Sequence, residues 1–389
     1  MEKAKRKLLE KAIKDMKLPE GTVCGFGDKV DISYSKFDTP FPTLSVLTGG
    51  GFPRGRFTCI SGPPGTAKTT LLLHQLAHLQ QQDENLSTLW IDAENAFDPV
   101  WAQRLGVDTD SMIFVQKLPT LEAYMNALVG LIDTGGIDIA VVDSIGASAP
   151  RGEIESKGGK SRDLHDDTMA LQARKYAQFC RVATPKIARN NTSVILIAQV
   201  YQDINSYGGL WMVKGGNALK HATYLRLMTR RSRDKTSTKV VMPDGVIKEI
   251  DLGWTLHIRI DKTKQNAREG HEIALPFRCG AGLVAAEAAV ITAMQMGLIE
   301  RRGAWYSYGE KQWQGRTGAI EYFMQDPEAL AVLSHELIAL VDEETVELES
   351  APEPASIVEA GEVPPDEDII VDEDDEASDE AEEDLDLED

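Results

Sequence analysis

One stretch, RFTCISGPPGTAKTT at residues 56–70, constrains the fold of this chain more than any other. Its apolar residues predict a strand over 57–61, and its glycines and prolines predict a loop over 62–67. The residues that follow predict a helix from Lys68 to about Gln82. In this arrangement, successive backbone N–H groups and the helix N-terminus point at one spot and attract anionic oxygens. We therefore predict a phosphate-binding loop, with an ordinary strand–turn–helix connection as the alternative.

The loop follows the pattern G-x-x-x-x-G-K-[ST], except that Ala67 replaces the second glycine. In such a loop Lys68 reaches the β- and γ-phosphates of a nucleotide, and the hydroxyl of Thr69 binds Mg²⁺. Ala67 adds a Cβ where the backbone approaches phosphate, but we expect the flanking Gly65 to supply the freedom that binding needs. The predicted nucleotide-binding residues of this stretch are Gly62, Pro63, Pro64, Gly65, Thr66, Ala67, Lys68, Thr69 and Thr70.

Three further apolar segments predict buried strands that end in polar residues; they are residues 88–94, 138–144 and 193–199. Because helical segments lie between the strands, the sequence predicts an α/β fold with a mostly parallel sheet. Polar residues at the carboxyl ends of parallel strands gather at one edge. The residues expected at this edge are Lys68, Glu94, Asp143 and Gln199. Asp143 is a candidate to bind Mg²⁺ through water.

Two long segments without a strong periodic pattern interrupt this predicted core. Residues 150–167 are polar and contain several Gly, Lys and Arg, whereas residues 200–214 hold three aromatic side chains and few charges. Loops this long in a compact domain are usually functional or disordered. A basic loop beside an aromatic loop suits single-stranded nucleic acid; a packing patch for a protein partner is the alternative. The candidate DNA-binding side chains are Arg151, Lys157, Lys160, Arg162, Tyr201, Tyr207, Trp211 and Lys214.

Residues 3–17 have the periodicity of an amphipathic helix. The apolar stripe consists of Leu8, Leu9, Ala12, Ile13 and Met16. A helix this short is marginal in isolation, so we expect it to pack either on its own domain or on a neighbouring subunit.

Composition excludes several classes of protein. No apolar run approaches the about 18 residues of a membrane span, and the start of the chain has no apolar signal region. The four cysteines are far apart and form no C-x-x-C pair, which indicates neither a zinc site nor a disulfide framework. We therefore expect a reducing, cytosolic compartment.

The acidic charge of the chain is concentrated at its C-terminal end. Residues 342–389 contain 24 Asp or Glu and no Lys or Arg, and since the whole chain carries −21, the rest carries +3. The low pI of about 4.8 is therefore no argument against nucleic-acid binding. Its composition predicts a disordered tail that acts as a solubiliser or competes with DNA for basic surfaces.

Taken together, these segments resemble a RecA-type recombinase over residues 50–341. The runs GPPGTAKTT, IDAENAFDP, VVDS, GGNALK and GAWYSY each resemble bacterial RecA nearly word for word, in the same order. The run RVATP at 181–185 and the run DSIG at 143–146 also resemble the UvsX-type recombinases of bacteriophages, which favours a phage-encoded member.

The resemblance implies four segments. They are an N-terminal helical arm and linker for polymerisation (1–49), a RecA-type P-loop ATPase core with DNA-binding loops (50–284), a small α+β C-terminal domain (285–341) and the disordered acidic tail (342–389).

The resemblance also implies residue roles. Glu94 would polarise the attacking water, Gln199 would sense the γ-phosphate, and Lys262 and Lys264 would reach ATP across a subunit interface. The implied adenine contacts are Asp98 and Trp101, and the implied contacts to the DNA backbone are Arg174, Arg181, Gly215, Gly216 and Asn217. Arg174 and Arg181 are seven residues apart on a predicted helix and so share a face.

The function implied is an ATP- and Mg²⁺-dependent DNA recombinase that forms a helical filament on single-stranded DNA and promotes homologous pairing and strand exchange. Its implied partners are single- and double-stranded DNA, other copies of itself, and single-stranded-DNA-binding and loader proteins in a bacterial cell or phage-infected host. The alternatives are a ring-forming RecA-fold helicase or branch-migration ATPase, and a non-hydrolysing DNA-coating protein. Two features argue against the ring-forming alternative: the absence of an N-terminal cysteine cluster and the presence of the GAWYSY segment.

Overall fold

The structure, a computed structural model, describes residues 3–18, 22–30, 33–155, 171–202, 211–213, 216–241, 247–264 and 269–349. Its helices in these ranges are α1 (Lys3–Asp15), α2 (Pro42–Thr48), α3 (Lys68–Gln82), α4 (Pro99–Arg104), α5 (Leu121–Asp133), α6 (Arg151–Ile154), α7 (Leu171–Arg189), α8 (Gly216–Ala222), α9 (Ala285–Gln295), α10 (Gly315–Gln325) and α11 (Pro327–Glu349).

The strands in the same ranges are β1 (Lys36–Phe37), β2 (Phe52–Pro53), β3 (Phe57–Gly62), β4 (Thr88–Asp92), β5 (Ile113–Gln116), β6 (Ile139–Ile145), β7 (Ser193–Gln202), β8 (Trp211–Val213), β9 (Leu225–Val241), β10 (Ile247–Thr263), β11 (Glu272–Arg278), β12 (Gly282–Leu283), β13 (Glu300–Arg302), β14 (Trp305–Tyr308) and β15 (Lys311–Gln314). None of the helices in the described ranges is long and apolar enough to cross a membrane.

The central sheet has the strand order β12-β11-β10-β9-β3-β7-β6-β4-β5. The six strands from β9 to β5 in this order are parallel, and β10, β11 and β12 extend the sheet with antiparallel pairing. Parallel strands need crossover connections, and the helices between them provide these. The predicted α/β fold with a mostly parallel central sheet is confirmed.

Both faces of the sheet are covered because alternate residues of each strand point to opposite sides. On β3, Ile60 packs with the leucines of α3, whereas Cys59 packs with the apolar faces of α5 and α7. α3 begins at Lys68, as the sequence predicts, and it buries five leucines: Leu71, Leu72, Leu73, Leu76 and Leu79. Packing of this apolar face holds the loop at the carboxyl edge of the sheet.

A separate apolar cluster lies in the C-terminal part of the chain. Helices α9, α10 and α11 and the small sheet β13-β14-β15 enclose Phe323, Leu333 and Leu337, all fully buried. The GAWYSY segment forms the turn before β14 and β14 itself, with Tyr306 buried and Trp305 exposed. α11 continues to Glu349, eight residues past the predicted end of this domain. By contacts, the chain divides into residues 1–345 and 346–389.

Two segments differ from the sequence prediction. Residues 200–214 were expected to form a loop, but Val200–Gln202 continue β7 and pair with β8 in antiparallel register. The apolar residues of 224–231 and 254–261 predict strands too short for what forms, since these ranges are parts of β9 and β10, which have 17 residues each. The outer residues of this hairpin pair only with each other, so their sequence shows no buried-face pattern.

Candidate nucleotide-binding site

The loop between β3 and α3 has two residues with left-handed backbone. Gly65 has φ 72° and Ala67 has φ 53°. Gly65 therefore gives the loop conformational freedom. Ala67 nevertheless also adopts a left-handed backbone conformation, which costs an L-residue about 1–2 kcal/mol.

Lys68 is folded back onto this loop. Its Nζ donates to the carbonyl oxygens of Gly62 at 2.9 Å and Pro63 at 2.8 Å. Burial lowers the pKa of Lys68, and the negative charges of Asp143 and Glu94 oppose this shift. The ammonium group thus sits among carbonyls that a phosphate can replace, beside two carboxylates.

Gly62 is required where it stands because another strand approaches it closely. A Cβ at Gly62 would lie 2.1 Å from Oγ1 and 2.5 Å from the carbonyl oxygen of Thr229 on β9. The hydroxyls of Thr66 and Thr229 are also hydrogen-bonded at 2.8 Å. β9 therefore supports the back of the loop.

Thr69 and Asp143 meet at the end of β6. The Thr69 hydroxyl donates to Oδ2 of Asp143 at 2.8 Å. Burial is the main cause that raises the pKa of Asp143 to about 6, and Glu94 and Asp92 add to the effect. A hydroxyl and a carboxylate side by side are oxygen donors of the kind Mg²⁺ prefers when phosphates complete its coordination, so these two residues fit Mg²⁺.

Glu94 is the exposed carboxylate of this edge. Its Oε1 accepts hydrogen bonds from the hydroxyl of Ser144 and from Nε2 of Gln199, the latter at 2.7 Å. The structure thus brings together Glu94, Asp143 and Gln199, as predicted for the ends of three strands. An oriented carboxylate beside a phosphate loop suits activation of a water molecule.

Asp92 has a structural place instead. It is fully buried, and its carboxylate accepts from the backbone N–H groups of Ala96 at 3.3 Å and Phe97 at 3.0 Å and from Gln116 Nε2 at 3.0 Å. These bonds fix the turn after β4 that presents Glu94. Asp92 therefore competes less well than Glu94 for a catalytic role.

Asp98 and Trp101 lie at the start of α4. Oδ1 of Asp98 accepts from the backbone N–H groups of Val100 at 2.9 Å and Trp101 at 3.1 Å, so Asp98 caps the helix. Trp101 is half-buried against the apolar core. Their contact with adenine stays a prediction.

Lys262 and Lys264 lie at the opposite edge of the sheet. Thr263 pairs with Leu225, which pairs with Thr58 near the start of β3, whereas Lys68 follows the end of β3. At about 3.3 Å per residue, the two edges are separated by roughly 15 Å. Within one chain these lysines are too far away to contact a phosphate held by Lys68.

Residues 7–255 match the family described as the RecA N-terminal domain, and residues 290–342 match the RecA C-terminal domain. The chain belongs to the RecA family. This confirms the resemblance drawn from the motifs.

Bacterial RecA proteins are similar to the chain over most of its length. The protein RecA of Lactobacillus delbrueckii is 35% identical over 337 residues, which cover 83% of this chain and 93% of that protein. The RecA of Nostoc punctiforme is 34% identical over 319 residues (79% and 81%), and that of Thermus aquaticus is 34% identical over 347 residues (88% and 96%). The interpretation as a phage UvsX-type member stays a prediction.

The predicted DNA-binding residues of this RecA-family chain are only partly described. Arg174 and Arg181 are both exposed on α7, and Arg151 is exposed at the start of α6, where its Nε pairs with Glu155 at 2.9 Å. In the β7–β8 hairpin the pairs are Tyr201 with Met212 and Gln202 with Trp211, and Gly216 and Asn217 begin α8. Lys157, Lys160, Arg162, Tyr207, Lys214 and Gly215 lie outside the described residues.

Three residues of the site escaped the sequence analysis. Ser144 was visible as the residue after Asp143, but nothing in the sequence showed that its hydroxyl reaches Glu94. Thr229 lies 163 positions from Thr66, so only the pairing of β9 with β3 brings them together. Asp92 lies in the same predicted strand segment as Glu94, but its role in the turn depends on burial, which the sequence does not show.

Proposed function

We propose that this protein is a DNA-dependent ATPase that polymerises on single-stranded DNA as a helical filament and promotes homologous pairing and strand exchange. Membership of the RecA family and the clustering of Glu94, Asp143 and Gln199 at one edge support this. ATP and Mg²⁺ are its cofactors, and single- and double-stranded DNA are its ligands.

The observation that carries the proposal is the placement of two cationic groups at opposite edges of one sheet. Lys68 lies at the carboxyl edge, and Lys262 and Lys264 lie at the amino edge. In a head-to-tail assembly, the amino edge of one copy faces the carboxyl edge of the next, so both groups reach the same ATP. Head-to-tail contacts generate rings when the rotation closes and helices when it does not.

The residues of the site divide the work of phosphoryl transfer. Glu94 polarises the attacking water; its orientation is fixed because Ser144 and Gln199 both donate to Oε1. Lys68 binds the β- and γ-phosphates of the ATP that the phosphate loop of its own chain holds. Lys262 and Lys264 of the neighbouring copy stabilise the charge that develops on the transferred group. Thr69 and Asp143 would hold Mg²⁺, which would supply further charge neutralisation.

Gln199 connects nucleotide state to DNA binding in this proposal. Its side chain contacts Glu94, and its strand β7 runs directly into the β7–β8 hairpin that holds Tyr201 and Trp211. A γ-phosphate adds contacts that favour the DNA-binding arrangement of this segment, and hydrolysis removes them. Asp98 and Trp101 contact the adenine.

The proposal includes the setting of the reaction. The protein works in the cytoplasm of a bacterial cell or a phage-infected host, together with single-stranded-DNA-binding and loader proteins. Arg174, Arg181, Gly216 and Asn217 contact the DNA backbone, and the arm α1 packs on the adjacent copy.

Phosphate release with and without single-stranded DNA tests the activity. DNA is expected to stimulate hydrolysis, and Lys68→Ala is expected to reduce the DNA-stimulated rate by about a hundredfold or more, since it removes a charge that contacts the transferred phosphate. Lys186→Ala is the matched control, because Lys186 pairs with Asp133 at 2.6 Å on the surface of α7, away from the loop. DNA-stimulated hydrolysis by Lys68→Ala at the wild-type rate would refute the site assignment.

Electron microscopy with ATP and single-stranded DNA tests the assembly. Continuous helices are expected. Closed rings would instead support a helicase or branch-migration ATPase, and phosphate release that stays at background with DNA present would support a non-hydrolysing coating protein.

A further inference from the structure

The strand that carries Lys262 and Lys264 contains a β-bulge directly before them. Ile260 pairs with Leu227 on β9, but the next paired residue is Lys262, opposite Arg226. Asp261 is therefore the extra residue. Bulges re-aim the side chains that follow them, so this one decides the direction of the two lysines.

A buried ion pair holds the extra residue in place. Nη2 of Arg226 lies 3.3 Å from Oδ2 of Asp261, and the Arg226 side chain is only 6% exposed. The other oxygen, Oδ1, lies 3.4 Å from Nη2 of Arg259, whose side chain is 49% exposed. Among the residues that the structure describes, Asp261 is the only acidic residue within ion-pair distance of Arg226, and Nε of Arg226 has no hydrogen-bond partner.

The register that this pair fixes gives Lys262 a defined direction. Its Nζ donates to the carbonyl oxygens of Lys220 at 2.6 Å and Thr223 at 3.1 Å, at the end of α8. The backbone N–H of Lys264 donates to the carbonyl oxygen of Tyr224 at 3.0 Å. Burial and the nearby charges of Lys264 and Arg226 lower the pKa of Lys262.

We propose that the Arg226–Asp261 ion pair is a positioning device that locks the bulge of β10 and so aims Lys262 and Lys264 at the ATP of the neighbouring copy. The inference rests on the proposed function, which gives these lysines their role. A shift of pairing by one residue would turn both lysines to the other face of the strand. That shift would also separate Asp261 from Arg226 and leave a buried charge uncompensated, which is strongly unfavourable.

Mixed filaments test the proposal. Asp261→Asn alone is expected to lower the DNA-stimulated hydrolysis rate by about tenfold to a hundredfold, because misplaced groups lose their contact with the transition state. Mixed with Lys68→Ala subunits, it is expected to hydrolyse faster than the two variants do separately. In the mixed interfaces, an intact phosphate loop from Asp261→Asn meets correctly aimed lysines from Lys68→Ala. A general structural defect would show no such rescue.

Two controls make the result specific. Arg259→Gln removes the exposed partner of the same carboxylate and is expected to change hydrolysis by less than about twofold, since exposed pairs contribute little. Lys262→Ala mixed with Lys68→Ala tests the shared site itself. If that mixture shows no rescue, the proposed function fails at the shared site.

If mixing Lys262→Ala with Lys68→Ala restores hydrolysis, the shared site is supported, and the Asp261→Asn results then test the positioning role alone. It is overturned if Asp261→Asn hydrolyses at the wild-type rate or is inactive without rescue. Should Asp261→Asn not fold, as judged by circular dichroism, the double variant Arg226→Met/Asp261→Leu replaces it, because a neutral buried pair is tolerated. The double variant is expected to hydrolyse slowly alone and faster when it is mixed with Lys68→Ala. Hydrolysis by the double variant at the wild-type rate would refute the proposal.

Discussion

Ala67 carries a methyl group at a backbone position whose φ of 53° favours glycine. It is the residue before α3, and the carbonyl of Ala67 accepts the first hydrogen bond of that helix, from Leu71 N–H at 2.9 Å. The strained conformation is therefore held by the helix and by the packing of its leucines. The phosphate loop keeps its geometry at the expense of stability at one residue.

Ala67→Gly is expected to raise the free energy of unfolding by about 0.5–1 kcal/mol, because relief of left-handed strain exceeds the added entropy of the unfolded chain. Urea denaturation measures this. Ala331→Gly is the matched control, since Ala331 is exposed in the interior of α11, and there glycine is expected to destabilise by about 1 kcal/mol. Equal destabilisation by both variants would contradict the strain at Ala67.

Helix α7 carries two of the arginines that are predicted to contact the DNA backbone. Arg174 and Arg181 are exposed on it, seven residues and two turns apart. Tyr176 of the same helix accepts, through its hydroxyl, a hydrogen bond from Gly146 N–H at 2.8 Å, at the end of β6. The helix thus connects the Asp143 strand to a basic face.

The double variant Arg174→Gln/Arg181→Gln is expected to weaken single-stranded DNA binding and to reduce the slope of log K against log salt by about 1.4, because two phosphate contacts are lost. Fluorescence anisotropy over a salt series measures it. Lys186→Gln on the same helix is the control and is expected to leave the slope unchanged. An unaltered slope in the double variant would exclude α7 from the DNA interface.

At the scale of the whole molecule, charge is divided between a body of +3 and a tail of −24. α11 continues to Glu349, so five of the 24 acidic residues belong to a helix and 19 follow it. We expect this tethered acidic segment to compete with DNA phosphates for the basic surfaces of the body, and we expect salt to screen the competition.

Deletion of residues 350–389, which leaves α11 complete, is expected to tighten binding of duplex DNA, most at low salt, where screening is weakest. Binding isotherms at two salt concentrations measure it. A tail of equal length built from Ser and Gly is the control, and it is expected to behave like the deletion. Equal affinity of the full and shortened chains would leave the tail as a solubiliser.

The sequence by itself determined much of the secondary structure of this protein, because that structure depends on patterns among neighbouring residues. The apolar run of β3, the glycines after it and the leucines of α3 gave the strand, loop and helix with nearly correct bounds. Alternation of apolar strands and helices gave the parallel sheet, and the rule that strand ends share an edge gave the meeting of Glu94, Asp143 and Gln199. Three of the five family motifs, GPPGTAKTT, IDAENAFDP and VVDS, lie in these segments.

Contacts between distant parts of the chain were decided by the tertiary structure. Thr229 reaches Thr66 only because β9 pairs with β3, and the Arg226–Asp261 pair requires the register between β9 and β10. The left-handed backbone of Ala67 also depends on α3 being packed in place. Sequence patterns report which face of an element is buried, but the register and the partner of each strand are set by packing over the whole sheet. For that reason, the placement of Lys262 and Lys264 at the edge opposite Lys68 was settled by the sheet and not by any motif.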